Sequence, residues 1–127
     1  MSNNASIYAQ HTENTEWLNK LNFYKDEIRI LTGRLEEIST KYTSQEVLAE
    51  VERFQNQWII QRNNIDEIAH KIKENEQSLI DEINNNPVAV DHRKMEYHTE
   101  EQQLVEGFEQ NFNSIRDEFN RFASKWM

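Results

Sequence analysis

The stretch WLNKLNFYKDEIRILTGRLEEISTKY, Trp17 to Tyr42, decides the fold. Its large apolar residues fall at Trp17, Leu21, Tyr24, Ile28, Leu31, Leu35, Ile38 and Tyr42, at alternating steps of 4 and 3. Steps that average 3.5 residues keep one face of an α-helix apolar and leave the rest to Lys, Asp, Glu and Asn. Such a stripe is too narrow for a fully buried helix and too continuous for a solvated one, so it must pack against partners. Further along, the same spacing returns at Val47, Val51, Phe54, Trp58, Gln61, Ile65, Ile68, Ile72, Asn75 and Leu79, with Gln61 and Asn75 as polar interruptions. A third stripe, read backwards from the C-terminus, holds Trp126, Phe122, Phe119, Ile115, Phe112, Phe108 and Val105. Three stripes predict three helices.

The breaks between stripes are short. In YTSQEV, Thr43 is expected to cap the second helix with Glu46 reaching back to it, while Tyr42 and Val47 staple the entry. A connection of that length forces an antiparallel hairpin. The second break, NNNPVAVD, carries the only proline, Pro87, and offers Asn86 or Asp91 as the next cap. The expected architecture is all-α: one antiparallel three-helix bundle of long, heptad-patterned, coiled-coil-like helices near 13–42, 44–84 and 88–126, with residues 1–12 as a flexible N-terminus. Antiparallel register places Gln61 opposite Tyr24, whose hydroxyl is expected to pair with the Gln61 amide.

Composition fits one domain. A chain of 127 residues is long enough for one core, and six Phe, four Tyr and three Trp argue against disorder despite 36% hydrophobic content. The net charge of −9 works against nucleic-acid and anionic-membrane partners. With no cysteine, disulfides, thiol nucleophiles and thiolate metal sites are excluded. The first residues carry neither a basic nor an apolar leader segment and no run spans a bilayer, so a soluble cytoplasmic protein is expected.

Above Val105 the third stripe changes chemistry, because its next positions are Glu101 and His98. The second helix offers Asn75 at that height and the first offers Asn14, with Gln10 and His11 just beyond its expected start. Helices two and three are expected to project past helix one and leave this polar layer half open to water. Imidazole and carboxylate at helical spacing can converge on a divalent metal or a small ligand. Candidate ligands are His98 with Glu101, Glu67 and Glu74 around His70, His11, and His92 with Glu96 as a separate pair. In so acidic a chain most histidines meet a carboxylate at that spacing by chance. The plainer account has His98 hydrogen-bonded to Asn75 or Glu101, setting register at the end of the bundle. No other cofactor is indicated.

Catalysis has little support. Gly33 and Gly107 sit singly in helical patterns rather than in a phosphate loop, and the serines lie at caps or polar faces without a positioned base. Apolar residues off the stripes point instead to protein contacts. Leu18, Leu48 and Leu104 are expected to widen the core stripes. Phe23, Ile30 and Ile59 are not absorbed by the stripes, and Phe23 and Ile30, seven apart on helix one, form a candidate second seam. Leu79, Ile80 and Ile83 with Val88 and Val90 form a candidate apolar tip. The aromatic tail FNSIRDEFNRFASKWM continues a core stripe and carries both signs of charge, which favours packing over membrane binding.

In WLNKLNFYKDEI, FQNQWIIQRNNIDE, NNPVAVDHRK and the terminal FNRFASKWM, the chain resembles a family of short, acidic, all-helical bacterial proteins to which no activity is assigned. The resemblance implies a compact helical domain and carries over no site residue. In size and aromatic core the pattern is also similar to spectrin-type repeats, as an analogy of architecture. The function expected is a non-enzymatic soluble interaction or scaffolding bundle, capable of binding a protein partner or a second copy of itself. The alternative is a metal- or small-ligand-binding bundle centred on His98 and Glu101.

Overall fold

The computed structural model describes the backbone of residues 3–85 and 92–126, and the side chains of 9–81, 84–85 and 98–126. Three helices make up the described chain: α1 (Asn3–Lys41), α2 (Gln45–Asn85) and α3 (His92–Trp126). All three pack against one another in an all-α three-helix bundle. Side-chain pairings give the topology. Asn14 meets Glu76 and Lys25 meets Asp66, so α2 descends as α1 rises. Trp17 lies against His98, Tyr24 against Phe108 and Tyr42 against Trp126, so α3 rises in step with α1.

The predicted stripes are the core. From Trp17 to Ile38, from Val47 to Ile72 and from Val105 to Phe119, nearly every stripe residue is buried in one contiguous cluster. Burying a side chain of this size contributes about 1.5–3 kcal/mol, so the three seams dominate the stability of the bundle. Near its C-terminus the seam of α3 drifts by one position: Ala123 is buried, while Ile115, Phe122 and Trp126 are only partly covered. Aromatic rings fill the centre. Trp58 meets Phe112 at 5.9 Å and Phe119 at 5.6 Å, and Phe54 meets Phe119 at 5.4 Å, within the range of favourable edge and offset geometries.

Several local expectations change. Helix α1 begins at Asn3 rather than near residue 13, because Gln10 and Asn14 continue the seam with polar side chains that are themselves buried. Ser44, not Thr43, caps α2: its hydroxyl oxygen accepts from the Val47 N–H at 3.5 Å, and its carbonyl accepts from Leu48 at 3.0 Å. That shift puts Val47 at the third helical position, where the expected capping box needed Glu46. Tyr42 turns to the Trp126 ring, 5.3 Å away. The caps proposed at Asn86 and Asp91, with Pro87 and the start near 88, lie outside the described residues.

Gln61 is 1% exposed, yet its Oε1 accepts no hydrogen bond among the described residues. The expected bond to the Tyr24 hydroxyl is not made, since the Tyr24 ring is taken up by Phe108 and Phe112. Burial raises the Tyr24 phenol above its ordinary pKa, and the Glu109 carboxylate adds to the effect.

Two stability outcomes follow. Trp58→Ala empties the centre of the core and is expected to lower the unfolding free energy by about 3–5 kcal/mol in a denaturant titration. Gln61→Leu removes a buried acceptor without a donor and is expected to raise it by about 1 kcal/mol; a loss of stability would show that the amide is satisfied.

Candidate functional site

Above Trp17 the core becomes polar, as the stripes foretold. Gln10, Asn14, Asn75, His98 and Glu101 are all buried, between 1% and 7% exposed. The layer is closed rather than half open, because α1 runs past it to Asn3 and covers it. Leu79 is buried beyond it, outside the contiguous apolar cluster, so its place in an exposed tip is lost. Buried polar atoms on three helices constrain register, because a slip leaves them without partners.

The central imidazole has a different partner from those foreseen. His98 Nε2 lies 2.7 Å from Glu13 Oε2, and the ring stacks on Trp17 with centroids 4.7 Å apart. Glu13 on α1 thus takes the place expected for Asn75 or Glu101. On the opposite flank, His11 Nδ1 and Asn14 Nδ2 both reach the Glu76 carboxylate, the latter at 2.7 Å. Glu13 and Glu76 escaped sequence reasoning because they flank the seam. A carboxylate beside the stripe, level with a histidine or asparagine in the facing helix, was the available signal.

The remaining metal candidates disperse. His70 is exposed and bonds Glu74 within one helix at 2.9 Å, and Glu67 is exposed on the same helix. His92 and Glu96 have side chains outside the described set. Among the described residues, no group of three or more His, Asp or Glu is arranged to hold a metal ion. Three buried atoms of the layer, Asn14 Oδ1, Asn75 Nδ2 and His98 Nδ1, have no hydrogen-bond partner among the described residues. These atoms can accept or donate a hydrogen bond to a small polar guest.

The apolar candidates lie elsewhere. Phe23 is 64% exposed, Ile30 59% and Ile59 58%, while Ile80 is less so and Ile83 falls outside the described side chains. Leu18 packs onto the core as expected, but Leu48 and Leu104 remain exposed. Phe23 and Ile30 sit on the flank of α1 nearer α3, where Lys20 pairs with Glu109 and Glu27 with Arg116. Hydrogen bonding to Glu109, 2.8 Å away, raises the Lys20 pKa above its ordinary value. Ile59 lies on the other side of the bundle, at the rim of an outer groove of about 770 Å³ between α1 and α2. Among the described residues, no helix is long and apolar enough to cross a membrane.

No family model matches this sequence, and no curated protein or solved structure matches it either, so these residues themselves carry the functional reading.

Proposed function

We propose that this chain is a non-enzymatic interaction or scaffolding bundle that self-associates in a soluble, cytoplasmic setting. One observation carries the reading: Phe23, Ile30 and Ile59 are each more than half exposed on helix faces that the core does not use. Covering a side chain of this kind recovers about 1.5–3 kcal/mol that the lone bundle forgoes. Long uninterrupted helices suit this role, since they present extended rigid surfaces and few free backbone donors for transition-state stabilisation. The acidic surface, with net charge −9, favours a protein partner over a nucleic acid.

A second reading rests on the buried layer. Asn14 Oδ1, Asn75 Nδ2 and His98 Nδ1 would suit a small polar guest; a metal ion has less in its favour, because the carboxylates near His98 and His11 already serve as hydrogen-bond partners.

Light scattering on the untagged chain across a concentration series is expected to give a mass that rises from 15.3 kDa towards twice that value. A constant monomer mass would remove self-association. For the layer, native mass spectrometry with elemental analysis is the check: stoichiometric added mass lost in a His98→Ala, Glu101→Ala variant supports a guest, and the bare chain mass rejects one.

A further inference from the structure

We infer that the outer groove between α1 and α2 is where a second copy of this chain docks, antiparallel, about a two-fold axis crossing the groove near Asn56. The inference rests on the self-association proposed above and names its surface. The floor is formed by Ile28 and Trp58, with Ile59 on the rim. Gly33 leaves one wall open, since a Cβ built there would meet nothing within 4 Å.

Charge selects the occupant. Arg62 lies at one end of the groove, one helical turn from Asp66, whose carboxylate holds Lys25, whereas Glu36 and Glu52 lie at the other; Asp26 and Arg29, also on the lining, pair with each other. Among the described residues, the side chains of Arg62, Glu36 and Glu52 have no ion-pair partner. Within one chain they cannot find each other: ten residues of helix separate Arg62 from Glu52 by about 15 Å. A basic end and an acidic end on one face are complementary to the same face turned end for end, which is what a two-fold interface requires. With the axis across the helices, Arg62 of each copy meets Glu52 of the other. With the axis along the helices, the acidic ends would face each other, Glu52 against Glu36, and Arg62 would be left at the far end. Apolar contact agrees with the first arrangement. Ile59 is two residues from the midpoint between Glu52 and Arg62, so the two copies bring their exposed isoleucines within about one helical turn of each other.

Sedimentation equilibrium of the full chain, at low salt and across concentration, tests this with Glu52→Arg, Arg62→Glu and the double reversal. All the altered side chains are exposed, and circular dichroism checks that each variant folds. Each single reversal sets like charges together twice and is expected to weaken dimerisation by about tenfold or more. The double reversal should restore it towards wild type, because the exchanged charges attract each other between copies just as the original pair does. Leu104→Ser, exposed on α3 and away from this groove, should leave the dimer constant unchanged. A wild-type dimer indifferent to the single reversals, or not restored by the double one, would overturn this surface and leave self-association standing. A wild type that stays monomeric at every concentration would overturn both.

Discussion

Large apolar side chains at steps of 4 and 3 on three successive helices can leave water together in one way, by turning all three stripes towards a common axis. The rest of the bundle depends on that constraint. It holds Trp58 between Phe54, Phe112 and Phe119, brings Tyr24 onto Phe108 and Phe112, and closes the lower end with Tyr42 on Trp126. Short connections fix the direction of each helix, and the seam then fixes its rotation. The ion pairs Lys20–Glu109 and Arg116–Glu27 flank the α1 and α3 seam without defining it. Partly exposed pairs of this sort contribute little stability and serve mainly to favour one register.

The same constraint gives the polar end its meaning. Helix geometry carries the seam upward past Trp17 whether or not the residues there are apolar, so Asn14, Gln10, Asn75, His98 and Glu101 are drawn into the interior. A buried polar group needs a partner, and the flanking carboxylates of Glu13 and Glu76 supply some of them. The result is a layer that discriminates between registers more sharply than interchangeable aliphatic residues can. The open valences of Asn14, Asn75 and His98 explain why this end invites a ligand reading. The carboxylates of Glu13 and Glu76, already engaged by His98, His11 and Asn14, explain why a metal centre does not assemble from the described residues.

Outside the seam, the flanks of the bundle differ in chemistry. The flank between α1 and α3 is laced by ion pairs, with Phe23 and Ile30 exposed on the α1 side. Beside the polar layer, the one between α2 and α3 exposes Lys71, Glu100 and Leu104. The groove between α1 and α2 separates its unpaired charges, Arg62 from Glu36 and Glu52, by sign along its length around the exposed Ile59. A surface of that pattern has something to gain from a copy of itself.

The short connections set the antiparallel order, and periodicity along the chain was sufficient to determine the number of helices, almost every buried side chain and the polar positions Gln61, Asn75, His98 and Glu101. The periodic positions are properties of a single helix face, set by 3.6 residues per turn and independent of any partner's position. Tertiary structure alone decided that His98 bonds Glu13 and stacks on Trp17, that His11 reaches Glu76, that α1 extends to Asn3 and seals the layer, and that Ile59 shares a groove with Arg62 and Glu52. A register estimated from sequence is good to about one helical turn, roughly 5 Å, whereas a hydrogen bond requires placement to a few tenths of an ångström. The identity of a partner atom is therefore settled only when the facing helices are locked together by their cores.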